Sequence, residues 1–196
     1  MTTEPAPKRA WWRNEWIVTI AVLVVLYATG LLVHVQATLQ RAVLATGLFK
    51  PEYFEEIRRV EASPGLVVVD TLGTLVSTAE LRGEVVFINA WATWCAPCIA
   101  EMPAIDAVYR DYGDRVRFVM LNLDDDVEQA KKFMRKYSLP LHRPAGPIPP
   151  WFDVSLIPST AVIARDGKLA AVSEGMAQYD SRGFRRALDE LLVESP

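Results

Sequence analysis

The sequence is poor in cysteine and histidine, and this shortage excludes two kinds of stabilised fold. Its 196 residues include two cysteines and two histidines. Cys95 and Cys98 are separated by only two residues, so a bridge between them closes a loop too short to constrain the unfolded chain. A structural zinc site needs four ligands. There is no third cysteine, and His34 and His142 stand in unrelated settings.

An excess of positive charge is also missing. The chain has 21 lysine and arginine residues against 24 aspartate and glutamate residues, for a formal net charge of -3. Proteins that bind nucleic acid usually concentrate positive charge on one surface. The composition therefore does not favour a nucleic-acid partner. The length allows one ordinary domain with an appendage.

Residues 16–40 lack formal charge altogether, and the stretch from Ile17 to Val33 is almost wholly apolar. The 20 residues from Trp16 to Val35 would reach about 30 Å as a helix, which matches a bilayer core. The alternative is a cleaved secretory signal, whose apolar region is usually about 7 to 15 residues long and precedes a site of small residues. No such site follows Val33. We therefore predict one N-terminal transmembrane helix, residues 16–36.

Basic residues set the expected orientation of this helix. More of them precede the apolar run closely than follow it: Lys8, Arg9 and Arg13 against Arg41 and Lys50. The positive-inside tendency places residues 1–15 in the cytoplasm as a tail and the rest of the chain outside the cytoplasmic membrane. Residues 37–63 are interpreted as a helical spacer, and residues 64–196 as a separate domain.

The domain from residue 64 onward alternates short β-rich runs with helical patterns. The run from Val85 to Trp91 is typical of a central strand buried on both faces. The other predicted elements are a hairpin over 66–77, a helix ending at Gly113, a strand over 115–123, a helix capped by the aspartates at 124–126, a hairpin turning at Asp166-Gly167 and a final amphipathic helix. This order predicts an α/β sandwich with a central mixed sheet.

Both cysteines lie in the stretch WATWCAPCIAEMP, at the end of the buried strand and the start of a helix. Unpaired N–H groups and the helix dipole stabilise a thiolate at such a place. We expect Cys95 to be the exposed nucleophile and Cys98 the shielded thiol that attacks a disulfide formed at Cys95. The pair is interpreted as a redox reagent and not as a staple or half of a metal site.

WATWCAPC followed by Pro103 resembles the active-site strand and helix of the thioredoxin superfamily. Trp91, Trp94 and the IPST stretch at 157–160 strengthen the resemblance. With the anchor, the leading hairpin and the insert at 124–144, the chain is similar over about residues 64–193 to the membrane-anchored TlpA/ResA/DsbE-like thioredoxins. The resemblance implies a thioredoxin-like three-layer sandwich with a central mixed sheet.

The resemblance also implies roles for single residues. Pro158 would follow a cis peptide bond and face the cysteines. Glu101, one helical turn after Cys98, would exchange a proton during the reaction, unless it is a solvated helix residue. Asn89 stands where cytosolic thioredoxins carry a buried aspartate. The residues expected to meet a protein substrate are Trp94, Pro97, Ile157 and Pro158, whereas Trp91 is expected in the core.

No cofactor or metal is expected beyond the redox-active Cys95–Cys98 disulfide. No histidine separates the cysteines, and this favours a reductant over a strong oxidant. The resemblance implies a membrane thiol shuttle of the DsbD/CcdA type as electron donor. It implies apocytochrome c or copper-site assembly proteins of cytochrome oxidase as disulfide-containing substrates outside the cytoplasm. An exported thiol oxidase or isomerase, and a non-catalytic membrane-tethered binding module, remain alternatives.

Overall fold

The computed structural model describes residues 11–29, 31–45 and 60–194. Most of the predicted cytoplasmic tail and residues 46–59 of the predicted helical spacer lie outside these ranges. The end of that spacer is not helical, because Val60–Glu61 form a short strand that pairs within the sheet. The described chain comprises a pair of N-terminal helices and an α/β domain.

The apolar N-terminal run forms two helices where we predicted one. Helix α1 spans Trp11–Ala28 and helix α2 spans Leu31–Ala45. Thr29 donates both its N–H and its hydroxyl to the Val25 carbonyl, a side-chain bond that competes with helix continuation. Among the described helices none alone has the length and apolar character of a membrane span. The two meet that test only as a pair, bent by 89°.

The domain is built on a mixed sheet of eight strands in the order β1-β8-β7-β4-β5-β6-β2-β3. The strands are β1 (Val60–Glu61), β2 (Val67–Asp70), β3 (Leu75–Ser77), β4 (Val85–Trp91), β5 (Val116–Asn122), β6 (His142–Pro144), β7 (Ser159–Ile163) and β8 (Lys168–Glu174). Strand β4 pairs in parallel with β5 and antiparallel with β7. All seven of its residues are buried, so the predicted central strand is confirmed.

Two short strands were not predicted. Strand β1 pairs with β8 and begins before residue 64, where we placed the start of the domain. Strand β6 lies between the helix capped at 124–126 and the hairpin at Asp166-Gly167, where we predicted no element, and it joins β5 to β2. Neither is long enough to show an alternating pattern of its own.

Three helices pack on one face of the sheet: α3 (Ala96–Tyr112), α4 (Val127–Met134) and α5 (Arg182–Val193). Asp126 caps α4 by accepting the Glu128 N–H, as the aspartate run predicted. Phe87 and Trp91 of β4 point into this helical layer, where both are fully buried.

The opposite face of β4 carries Val86, Ile88 and Ala90. These residues pack against Leu66 and Phe152, which belong to irregular segments. Within the described residues this second covering layer consists mostly of irregular segments, with Leu81 of the short 3₁₀ helix Thr78–Leu81 packed against it. The alternation of β4 side chains between the two cores follows from strand geometry.

Helix α2 lies against the domain. Ala37 is 1% exposed and packs with Ile99 and Ala100 of α3. The stretch assigned to a spacer from residue 37 therefore begins within a helix that contacts the cysteine-bearing helix.

Candidate active site

The two cysteines form a disulfide at the start of α3. Strand β4 delivers the chain to a turn in which the Cys95 N–H donates to the Ala92 carbonyl at 3.2 Å. Cys95 caps α3, because its sulfur accepts the Cys98 N–H at 3.2 Å. After reduction, this N–H and the helix dipole would stabilise a Cys95 thiolate.

The exposure expected for Cys95 is wrong for this oxidised form. Cys95 is 5% exposed and Cys98 is 0% exposed. The order of accessibility agrees with the predicted roles, since Cys95 is the sulfur that a partner reaches more easily. A thiolate that attacks this disulfide must therefore reach the Cys95 sulfur through the small part of Cys95 that is exposed.

A second segment, which contains Ile157 and Pro158, lies against Cys95. The Ile157-Pro158 peptide bond is cis, which confirms the expectation from the IPST stretch. The Ile157 carbonyl oxygen lies 3.6 Å from the Cys95 sulfur. Pro158 is buried and Ile157 is half-buried. The structure thus brings together residues that are 62 positions apart in the chain.

The surface next to Cys95 is apolar and accessible. Trp94 is 62% exposed, and Pro97, the second residue of α3, is half-buried. Leu156 is 67% exposed and precedes Ile157; the sequence reasoning did not select it, although its position beside the IPST stretch could have done so. Trp91 is fully buried, which confirms its assignment to the core.

Glu101 is fully buried, so its interpretation as a solvated helix residue is wrong. Its Oε1 accepts the Asn89 side-chain N–H at 2.8 Å, and its Oε2 accepts the Ala177 main-chain N–H at 3.2 Å. Burial raises the pKa of Glu101 from an ordinary 4.5 to about 8, although the two hydrogen bonds lower it. A carboxyl with this pKa holds its proton at neutral pH.

Asn89 connects Glu101 to a further pair of hydroxyl groups. Its Nδ2 also donates to Thr160 Oγ1 at 3.0 Å, and Thr160 is hydrogen-bonded to the buried Tyr179 hydroxyl. The Asn89 Oδ1 is buried without a hydrogen-bond partner. Rotation of the amide would turn this oxygen toward Glu101 and let it accept a carboxyl proton. The network therefore suits either protonation state of Glu101.

Sequence reasoning missed the part played by Asp124. We expected the run at 124–126 to cap a helix, and only Asp126 does so through its side chain. Asp124 is 8% exposed and accepts hydrogen bonds from Thr93, the residue two before Cys95. A pairing across 31 positions leaves no local signal in the sequence.

The chemistry of the site is that of two sulfurs and one buried acid. Across the described ranges there is no cluster of three or more histidine, cysteine, aspartate or glutamate side chains suited to a metal ion. The Cys95–Cys98 pair can form and break one disulfide, which transfers two electrons. Glu101, one turn from Cys98 on the same helix, can hold or release one proton.

Known proteins share this fold. A thiol:disulfide interchange protein of the thioredoxin family from Chlorobium tepidum TLS superposes with a TM-score of 0.56 and 25% identity, covering 68% of this chain and 99% of its own. The fold and the disulfide define a thioredoxin-like redox protein.

Sequence comparison narrows this class. Residues 59–188 match the Redoxin family. The thiol-disulfide oxidoreductase ResA of a Bacillus cereus strain is 32% identical over 119 residues, which are 59% of this chain and 69% of the relative. ResA of Bacillus subtilis (strain 168) is 30% identical over 125 residues, 62% of this chain and 70% of the relative. The chain therefore belongs to the Redoxin family, among the ResA-like thiol-disulfide oxidoreductases.

Proposed function

We propose that this protein is a membrane-tethered reductase of protein disulfides outside the cytoplasm. The observation that carries the proposal is the Cys95–Cys98 disulfide at the start of α3, with the cis-Pro158 segment against Cys95 and a buried acid one turn beyond Cys98. This arrangement supplies a nucleophile, a resolving thiol and a proton carrier.

The reaction begins with the dithiol form. The Cys95 thiolate attacks one sulfur of a partner disulfide, forms a mixed disulfide and releases the other partner sulfur as a thiolate. Cys98 then loses its proton, attacks the Cys95 sulfur and expels the second partner thiolate. The partner gains two electrons, and with two protons becomes a dithiol. The Cys95–Cys98 disulfide is the product.

Glu101 is proposed to accept the proton that Cys98 loses, so it is the ionised carboxylate in the dithiol form and the protonated carboxyl in the oxidised form. In the oxidised structure its pKa of about 8 lies close to that of an ordinary thiol, so the proton moves between groups of similar affinity. Re-reduction would return this proton to Cys98. The unpartnered Asn89 Oδ1 supports this role, because a rotated amide can accept the carboxyl proton.

Two features support the reducing direction. The residues between the cysteines, Ala96 and Pro97, carry no charge that would stabilise the Cys95 thiolate. The Ile157 carbonyl oxygen, 3.6 Å from the Cys95 sulfur, presents a negative dipole end to that atom. Both lessen thiolate stabilisation, and a less stabilised dithiol is a stronger reductant.

Location, partners and tether belong to the same proposal. The apolar run now divided between α1 and α2 would anchor the protein in the cytoplasmic membrane, with the domain on the far side. An oxidising compartment requires a source of electrons. We propose a membrane thiol shuttle of the DsbD/CcdA type as that source, and apocytochrome c or a copper-site assembly protein as substrate. The redox-active disulfide needs no further cofactor.

Trapping in intact cells tests this function. Acid quenching followed by thiol alkylation gives the redox state of Cys95 and Cys98. We expect a mostly reduced pair that becomes oxidised when the membrane thiol shuttle is deleted. A mostly oxidised pair whose redox state does not change on deletion of the shuttle would instead identify an exported oxidase or isomerase.

The assignment of the attacking sulfur has its own test. The Cys98→Ala variant should accumulate mixed disulfides with partner proteins, because nothing resolves them. The Cys95→Ala variant should accumulate none. The reverse pattern would exchange the roles of the two cysteines, and a double Cys→Ala strain without any phenotype would point to a binding module.

A further inference from the structure

Asp124 is a buried carboxylate that the reaction steps above do not use. It follows β5 and is 8% exposed. Three groups donate hydrogen bonds to the Asp124 carboxylate, and two of them belong to Thr93. The Thr93 N–H donates to both carboxylate oxygens at 3.1 and 3.0 Å, and the Thr93 hydroxyl donates to Oδ1 at 2.9 Å. The Asn122 side-chain N–H donates to Oδ2 at 2.7 Å.

Asp124 is also held in place by bonds that do not involve Thr93. The Asp124 N–H donates back to the Asn122 Oδ1 at 3.2 Å, so the two side chains hold each other. The Leu123 N–H donates to the Trp91 carbonyl at 2.9 Å and ties the same segment to the end of β4. Asp124 is therefore held in place independently of Thr93, and it can restrain Thr93 rather than follow it.

Thr93 is a central residue of the turn from Ala92 to Cys95. The conformation of this turn decides two things at once. It projects Trp94 into solvent and sets Cys95 at the capping position of α3. A buried N–H that loses its acceptor shifts or takes up water, and the turn would change with it.

We propose that Asp124 is a positioning residue of thiol-disulfide exchange, which clamps the Ala92–Cys95 turn through Thr93 so that Cys95 keeps its place at the start of α3. This inference rests on the proposed function for its effect on turnover. It acts through Thr93, and Asp124 itself need not touch either sulfur.

A clamp and a simple charge effect predict opposite shifts in the pH at which Cys95 becomes reactive when Asp124 is removed. If Asp124 acted only through its negative charge, its removal would favour the Cys95 thiolate and lower the pH at which Cys95 becomes reactive. If it acts as a clamp, its removal misplaces the cap and weakens the N–H bond to the sulfur. The reactive pH then rises.

The test uses the full chain purified in detergent and reduced. Iodoacetamide alkylation of Cys95 across pH 5 to 10 gives its reactive midpoint, and reduction of insulin gives the turnover rate. For Asp124→Ala we expect a higher midpoint and a rate about tenfold lower. Thr93→Val removes only the hydroxyl donor, and we expect a midpoint shift in the same direction with a rate about threefold lower.

Asp106→Ala is the matched control. Asp106 is 3% exposed, accepts the Ser138 N–H at 2.7 Å and pairs with Arg110 on α3. Its removal also deletes a buried carboxylate that accepts a main-chain N–H, but it does not contact the turn. We expect a loss of stability with the wild-type midpoint and rate.

Three results would overturn the clamp: wild-type midpoint and rate in Asp124→Ala, a midpoint that falls, or an equal effect in Asp106→Ala. Should Asp124→Ala not fold, wild-type values in Thr93→Val would overturn it. A wild-type protein that does not reduce insulin contradicts the proposed function instead, because the alkylation midpoints need no substrate and still test the clamp.

Discussion

Replacing Glu101 by glutamine should remove a pH-dependent loss of stability. Glutamine resembles the protonated acid but cannot ionise. In the oxidised protein, burial raises the pKa of Glu101 from 4.5 to about 8. Each tenfold change in an ionisation equilibrium corresponds to about 1.4 kcal/mol. The folded protein therefore prefers the protonated carboxyl by about 5 kcal/mol as an upper bound.

The sign of the effect follows from which state ionises first. The unfolded chain loses the Glu101 proton near pH 4.5, whereas the folded protein keeps it until about pH 8. The protonated Glu101 stabilises the folded protein fully below pH 4.5. This stabilisation is lost as the pH rises from 4.5 to about 8, and stability changes no further from this cause above about pH 8. The stability of Glu101→Gln should lack this decline. Asn89 can serve either side chain, because its rotated amide oxygen accepts from the glutamine N–H.

The assay is urea denaturation of the oxidised protein between about pH 4 and pH 9. As the pH rises across this range, the free energy of unfolding of Glu101→Gln should increase relative to that of the wild type by several kcal/mol, up to about 5 kcal/mol. Glu128→Gln is the control, because Glu128 is exposed on α4 and bonds Lys131. Parallel curves for wild type and Glu101→Gln would refute a buried carboxyl of raised pKa.

The same variant should slow the reaction. Without a group to accept the Cys98 proton, resolution of a mixed disulfide at Cys95 should fall about a hundredfold. Stopped-flow measurement of partner release, with and without Glu101, separates this step from the first attack by Cys95. An unchanged resolution rate would leave Glu101 as a structural residue.

Three further substitutions probe the core, the surface and the N-terminal helices. Phe87→Ala empties a fully buried site whose ring lies 5.0 Å from that of Phe118, so urea denaturation should show a loss of about 3 to 5 kcal/mol; a loss below about 1 kcal/mol contradicts the packing. Trp94→Ala removes a side chain that is 62% exposed and should change stability by at most about 0.5 kcal/mol. It should slow insulin reduction while leaving the reaction with a small aromatic disulfide unchanged, and equal slowing of both would argue against a protein-binding role. Ala37→Glu places a charge at a position that is 1% exposed and should release α2 from α3; limited proteolysis within 31–45 would detect this, and an unchanged digestion pattern would contradict the contact.

The predicted pattern of the domain was largely correct, because its signals are local. The apolar run of β4, the aspartate cap of α4 and the turn at Asp166-Gly167 each act within a few residues. The relation between Cys95 and Cys98 is equally local. Their spacing and place at a helix start define the redox pair, and the disulfide confirms the pairing.

The N-terminal helices and the short strands show where local signals fail. The apolar composition of residues 16–35 predicts one helix, and the break between α1 and α2 depends instead on a single side chain, the Thr29 hydroxyl that donates to the Val25 carbonyl. Strands β1 and β6 exist because a neighbouring strand offers unpaired N–H and carbonyl groups, and their own residues carry no β pattern. The docking of α2 on α3 likewise depends on the shape of the domain surface.

The sequence by itself indicated the α/β fold class and the redox pair, since both depend on residues close together in the chain, and its resemblance to the thioredoxin superfamily implied the cis-proline segment. Only the tertiary structure decided the environment of the acid groups. Glu101 meets Asn89 across 12 positions and Ala177 across 76, while Asp124 meets Thr93 across 31. These contacts arise when the parallel pairing of β4 and β5 and the packing of α3 bring distant segments together. Burial and hydrogen bonding, and with them the pKa of Glu101, exist only after that assembly.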